Sequence, residues 1–166
     1  VDWMASNLEG DVTVVSPDAG RAKVAERYAN VLGADLVIVH KRHVKGVKNS
    51  VEAGEVVGDV EGRTCVLIDD MIDTGGTLVA AADAVAEQGA AHVLAAATHG
   101  LFSGPAIERI SGSSIEKVVV TNTLPLPPEK QIPKIEVVSI AKVIADALSA
   151  VFEDTSVSEI FGGANQ

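Results

Sequence analysis

The run Val66-Leu67-Ile68-Asp69-Asp70-Met71-Ile72-Asp73-Thr74-Gly75-Gly76-Thr77-Leu78 concentrates the chemistry of this chain. Three apolar residues read as a buried strand, and two carboxylates stand at its end. A short Gly/Thr loop then leads into an Ala-rich helical stretch. Asp73, Thr74, Gly75, Gly76 and Thr77 can aim successive backbone N–H groups at one anion. Glycine lets the backbone approach closely, and the threonines add hydroxyl donors. A helix N-terminus behind the loop favours negative charge. Asp69 and Asp70 can accept hydrogen bonds from neighbouring sugar hydroxyls, directly or through a divalent ion. This order of residues builds a pocket for a phosphorylated sugar. The plainer reading is a strand-to-helix turn with Asp73 or Thr74 as N-cap. The adjacent carboxylates weigh against it, because like charges repel and need a reason to sit together.

A second candidate is Ser16-Pro17-Asp18-Ala19-Gly20-Arg21, between a strand and a helix. The N–H groups around Asp18, Ala19 and Gly20 can hold another anion, and Asp18 can take a Mg²⁺ that bridges phosphates. A capped helix start, with Asp18 as N-cap, uses the same residues. Lys41, Arg42, His43 and Lys45 form a cationic cluster in the basic segment 41–50, which reads as a mobile loop. Such a loop can close over a polyphosphate and neutralise transition-state charge. A solvated surface is the alternative. His99 falls on the same edge, and His92 starts a strand. No His and Cys residues have zinc-site spacing, and no Ser-His-acid arrangement can be argued.

Apolar β-branched runs at residues 12–15, 36–39, 93–98, 118–120 and 135–138 read as strands, with helices at 21–32, 78–88, 140–152 and after Pro105. Gly33 and Gly89 are plausible helix stops. Residues 56–60 and 64–68 flank Glu61-Gly62 and predict a small hairpin. The segment 124–133 carries four prolines and must be a loop. The tail is loosely ordered apart from a turn at Ile160-Phe161. Strand alternating with helix predicts an open, mostly parallel α/β sheet flanked by helices, in one domain over residues 1–166. Ligands in such sheets bind beyond the carboxyl ends of the strands, where Asp18, Lys41, Asp69 and His99 fall.

Hydrophobic residues make up 47% of the chain and aromatic residues 3%, so Val, Ile, Leu and Ala must build the core. The formal charge of −10 argues against nonspecific binding to nucleic acid or an anionic membrane. It leaves phosphate binding open, because a helix N-terminus and local cations suffice for that. The single cysteine, Cys65, reads as a small core residue, and a reducing cytoplasmic setting follows. No secretory signal or membrane-length apolar run is seen. The start at Val1 suggests a fragment or a trimmed product.

Residues 66–78 resemble the ribose-phosphate motif of type I phosphoribosyltransferases. Flanking segments resemble, in order, the ribose-phosphate pyrophosphokinase (PRPP synthetase) family. These are Ser16-Pro17-Asp18-Ala19-Gly20, His40-Lys41-Arg42, Val57-Gly58-Asp59-Val60-Glu61-Gly62-Arg63, Ala97-Thr98-His99-Gly100, Thr121-Asn122-Thr123-Leu124-Pro125 and the tail Ser156-Val157-Ser158-Glu159-Ile160-Phe161. The family joins two similar α/β domains, and the resemblance is to the C-terminal one. It implies transfer of a diphosphoryl group from ATP to O1 of ribose 5-phosphate, making 5-phosphoribosyl 1-diphosphate (PRPP) and AMP with Mg²⁺.

The resemblance also implies roles for residues. Asp73, Thr74, Gly75, Gly76 and Thr77 hold the 5-phosphate, Asp69 and Asp70 face the ribose hydroxyls, and His43 lies near the sugar phosphate. Asp18 is a metal ligand in a diphosphate loop with Ala19 and Gly20. Lys41 is catalytic, with Arg42 beside it. Ser156 and Ser158 belong to a regulatory ADP/phosphate site, and the assembly is a homo-oligomer, a hexamer in the intact family. Two departures stand out. The family's loop arginine is replaced by His43, with Arg42 adjacent, and the N-terminal domain is absent. The expectation is a chain that binds ribose 5-phosphate and catalyses poorly alone. A stand-alone phosphoribosyltransferase acting on PRPP and a nucleobase, or a non-catalytic regulatory subunit, are the rival readings.

Overall fold

The computed structural model describes residues 1–43 and 51–158, with residues 41–43 and 51–54 described by backbone alone. Lys45 of the basic segment and the turn at Ile160-Phe161 lie outside the described residues. In chain order the elements are α1 (Asp2–Asn7), β1 (Val12–Ser16), a 3₁₀ turn (Ala19–Arg21), α2 (Ala22–Leu32), β2 (Asp35–His43), β3 (Val51–Val57), β4 (Thr64–Ile72), α3 (Gly76–Glu87), β5 (His92–Gly100), α4 (Ala106–Gly112), β6 (Lys117–Thr121), β7 (Ile135–Val138) and α5 (Ala141–Phe152).

The strands form one sheet in the order β3-β2-β1-β4-β5-β6-β7. Among the described residues only β3 runs antiparallel to its neighbour, and the other adjacent pairs are parallel. Both sheet faces are covered, as a parallel sheet requires. Along β4, Cys65 and Leu67 join the core under α3 and α4, while Val66 and Ile68 join the core under α1 and α2. That alternation is the two-residue period of a strand buried on both sides.

The structure corrects the expected hairpin. The turn at Glu61-Gly62 exists, but β3 pairs with β2, at Val57↔Ile38 and Val56↔Val39. β4 pairs in parallel with β1 and β5. The reason is burial: a strand apolar on both faces belongs inside the sheet between parallel neighbours. β2 also runs further than the 36–39 expected for it, and carries the backbone of Lys41, Arg42 and His43 as strand opposite Ala53, Glu52 and Val51, past an irregularity between Val39 and Lys41. These three residues were expected in a loop. β4 likewise continues through Asp69 and Asp70 to Ile72, and β5 continues through His99, so those residues lie within strands rather than after them.

Two further features were not expected. Residues 2–7 form α1, which buries Met4 and donates a hydrogen bond from Trp3 Nε1 to Glu136 Oε1 at 2.6 Å. α5 buries only Ala150 and leaves Val143, Ile144, Leu148, Val151 and Phe152 exposed. Among the described residues no helix is long and apolar enough to cross a membrane.

Candidate functional site

The site lies where the sheet order reverses. From β1 the chain crosses to β2 on one side, and from β4 it crosses to β5 on the other. The segments leaving β1 and β4 therefore diverge and open a crevice at the strands' carboxyl ends, the usual ligand position in such folds. Those segments are residues 17–21 and 73–77, the latter following the end of β4 that carries Asp69 and Asp70, and both belong to the motifs singled out by their chemistry.

The loop after β4 is held by its carbonyls. Ile72 O accepts from the N–H groups of Leu101 and Phe102, both at 3.0 Å, and Asp73 O accepts from Ser103 N–H at 2.9 Å. Arg109 Nη1 donates to Thr74 O at 2.9 Å. These bonds fix the carbonyls of Ile72, Asp73 and Thr74 toward α4 and the segment before it. Gly75 caps α3 at φ 72, ψ −1, in the left-handed region that a side chain disfavours. It stands where Asp73 or Thr74 was the expected N-cap, and no side-chain cap bond is made. A Cβ at Gly76 would lie 3.3 Å from Arg109 Nη1, so a side chain there would make the guanidinium give by a few tenths of an ångström. Asp69, Asp73, Thr74, Gly75, Gly76 and Thr77 line one cavity of about 140 Å³.

The acid pair has the reason it needs. Arg21, at the end of the other loop, places Nε 3.4 Å from Asp69 Oδ1, and its Nη2 donates to Asp70 Oδ2. Asp69 Oδ1 also accepts from Asp70 N–H at 2.8 Å. Their side chains are 20% and 48% exposed. Burial pushes the Asp69 carboxyl above its ordinary pKa, with the Asp70 N–H and Arg21 opposing. Desolvation acts the same way on Asp70, but the hydrogen bond with Asp69 and the Arg21 charge outweigh it and hold that carboxyl below the ordinary value.

In the loop after β1, Ser16 Oγ donates to Asp18 O at 2.6 Å, and Arg21 N–H donates to the same carbonyl at 3.3 Å. Asp18 precedes the 3₁₀ turn Ala19–Arg21 without a side-chain cap bond, and the α-helix begins only at Ala22. The structure thus brings Asp18, Ala19 and Gly20 to the crevice from one side and residues 69–77 from the other. Ser156 and Ser158 are exposed beyond the end of α5. His99 Nδ1 is 2.8 Å from Thr123 Oγ1, a contact between strand ends.

Two residues of the site had no role in the sequence reading. Arg21 was visible as a cation beside the second loop, but its partners Asp69 and Asp70 lie far along the chain, Asp70 at a separation of 49 residues. Arg109 reaches across 35 residues from α4, and nothing in its local sequence announces a contact with Thr74.

An open, mostly parallel sheet with a glycine-threonine loop and an acid pair at its switch point defines an α/β domain of the phosphoribosyltransferase type. A purine phosphoribosyltransferase from Pyrococcus horikoshii has the same fold, with a TM-score of 0.51 at 22% identity over 81% of this chain and 86% of that one. The chain belongs to the phosphoribosyl synthetase-associated domain family, whose model matches residues 45–162. It is 57% identical over 161 residues to a ribose-phosphate pyrophosphokinase of Streptomyces avermitilis, covering 96% of this chain and 50% of that protein. The phosphoribosylpyrophosphate synthetase of Mycobacterium smegmatis matches in structure with a TM-score of 0.77 at 44% identity, over 92% of this chain and 48% of that one. The chain spans about half the length of the curated relatives it matches.

Proposed function

We propose that this chain is the sugar-phosphate half, the C-terminal half, of a ribose-phosphate pyrophosphokinase. In this reading it binds ribose 5-phosphate, and the complete enzyme moves the diphosphoryl group of Mg·ATP to O1 of the sugar. The bond between the α- and β-phosphates breaks, an O1–phosphorus bond forms, and AMP leaves. The observation that carries the reading is the shared cavity of Asp69 with Asp73, Thr74, Gly75, Gly76 and Thr77. It sets the backbone of the Gly/Thr loop and two threonines beside the Asp69 carboxylate, which suits a phosphate at one end of a molecule and hydroxyls at the other.

The roles follow from chemistry. The loop N–H groups, Thr74 and Thr77 bind the 5-phosphate, helped by the N-terminus of the 12-residue helix α3. Asp69 and Asp70 orient the ribose diol. Asp18, with the N–H groups of Ala19 and Gly20, receives the diphosphoryl group. Mg²⁺ fits there. Among the described residues no three His, Cys, Asp or Glu side chains form a metal cage, and Mg²⁺ needs only one or two carboxylates together with substrate phosphates. When bound it would neutralise charge on the transferring group. Lys41 stabilises the negative charge that develops as AMP departs, with Arg42 beside it, and His43 lies toward the sugar phosphate.

The exposed apolar side of α5 supports a second unit in the complete protein, because a free apolar helix face of this size seeks cover. A homo-oligomer, hexameric as the resemblance implies, a regulatory role for Ser156 and Ser158, and a cytoplasmic setting belong to the same proposal. The test is ³¹P NMR of the intact gene product with Mg·ATP and ribose 5-phosphate. AMP together with 5-phosphoribosyl 1-diphosphate is expected. ADP or orthophosphate in place of AMP would overturn the reaction assigned.

A further inference from the structure

The mechanism above gives Arg21 nothing to do, yet among the described residues its side chain bridges the two loops of the crevice. Its backbone closes the 3₁₀ turn Ala19–Arg21, and its guanidinium engages both members of the acid pair, far along the sequence. This arrangement poses a competition. Asp69 Oδ1 already accepts from Asp70 N–H and faces Arg21 Nε, and Asp70 Oδ2 accepts from Arg21 Nη2. A diol placed on these carboxylates offers hydroxyl donors to the same oxygens. The contact with Arg21 is then the one to yield, because Arg21 is 37% exposed and the Asp70 N–H is fixed in the strand.

The guanidinium is tethered directly after Asp18, Ala19 and Gly20, so once released it stays beside that loop. A planar fork of N–H donors matches the oxygens of a phosphoryl group better than a point charge does. We infer that Arg21 is a positioning residue that couples the two ligands: it holds the acid pair until sugar hydroxyls take the carboxylates, then turns its fork to the diphosphoryl group. This inference rests on the proposed assignment of the two loops. It gives a physical reason for ordered assembly, since the sugar frees the cation that the diphosphoryl group requires.

The experiment is a binding cycle by calorimetry on the intact gene product, with ribose 5-phosphate and Mg·pyrophosphate as probes. In the wild type, saturating ribose 5-phosphate is expected to tighten pyrophosphate binding about fivefold, the ratio to which an exposed ion pair converts. In R21Q, pyrophosphate alone should bind as weakly as to the wild type without sugar, and the sugar should no longer improve it. R21K keeps the charge without the fork, and its coupling should fall to about twofold or less. If R21Q does not fold, R21K carries the test, and full coupling in it overturns the inference. Undiminished coupling in R21Q, or no coupling in a wild type that binds both probes, overturns the role of Arg21 and leaves the two binding sites standing. A wild type that does not bind ribose 5-phosphate overturns the site assignment, and the inference with it.

Discussion

Gly75 is the sharpest point at which backbone geometry and ligand binding can be separated. It caps α3 in a left-handed conformation, φ 72 and ψ −1. A Cβ there would lie 3.8 Å from Ala106 Cα, an ordinary contact, so Gly75→Ala meets a conformational penalty and not a clash. That penalty is roughly 1–2 kcal/mol for a residue with a Cβ. Alanine also restricts the unfolded chain and returns about 0.4–1 kcal/mol. The net is a loss of about 1 kcal/mol, and it must appear in one of two places. If the loop keeps its shape, urea unfolding should show the lost stability and ribose 5-phosphate should bind unchanged. If the loop relaxes, stability is kept, the N–H groups lose their aim, and the sugar phosphate should bind about fivefold more weakly. Asparagine enters the left-handed region more readily, so Gly75→Asn should lose about half as much or less. A Gly75→Ala chain with neither effect, or an asparagine variant as impaired as the alanine one, would refute the reasoning.

In the complete enzyme, Lys41→Ala should lower turnover by about 10²–10³-fold while the KM for ribose 5-phosphate stays nearly constant; a small kinetic change would remove Lys41 from catalysis. Asp69→Asn replaces a charged acceptor facing the diol and should weaken ribose 5-phosphate binding by about tenfold or more in calorimetry, whereas unchanged affinity would make the carboxylate structural. Burial pushes the Cys65 thiol up to about 11 from an ordinary 9.0. Above pH 9 the unfolded chain therefore releases this proton while the folded chain retains it, and stability falls until about pH 11. The stability difference between wild type and Cys65→Ala should accordingly shrink by about 2–3 kcal/mol between pH 8 and pH 11, and a pH-independent difference would contradict it.

What the sequence reveals of this site follows the range of the interactions. Residues 66–78 are legible because strand, acids, glycine loop and helix are consecutive, and each step is local chemistry. The parallel sheet is legible for a similar reason: β-branched runs alternate with helical spacing. The pairing of β3 is not, because turn residues at Glu61-Gly62 look the same whether the next strand pairs back or crosses to another position. Two-sided burial of Cys65, Val66, Leu67 and Ile68 decides it, and burial is a property of the whole sheet. The partner of the acid pair is hidden likewise. Arg21 meets Asp69 and Asp70 only because β1 and β4 are neighbours at the reversal of strand order. Arg109 reaches Thr74 only because α4 packs beside α3. α1 was missed because its six residues are too few for helical periodicity to register, and Trp3 and Met4 find their partners in the tertiary fold.

The central claim is that the loop after β4 grips a sugar phosphate while the neighbouring acids hold its ring. The most direct measurement is an NMR titration of the ¹⁵N-labelled chain with ribose 5-phosphate, following each backbone amide. Saturable shifts concentrated at Asp73, Thr74, Gly75, Gly76 and Thr77, with smaller ones at Asp69 and Asp70, are predicted. Silence at those amides, or saturable shifts confined to another part of the sheet, would contradict the account.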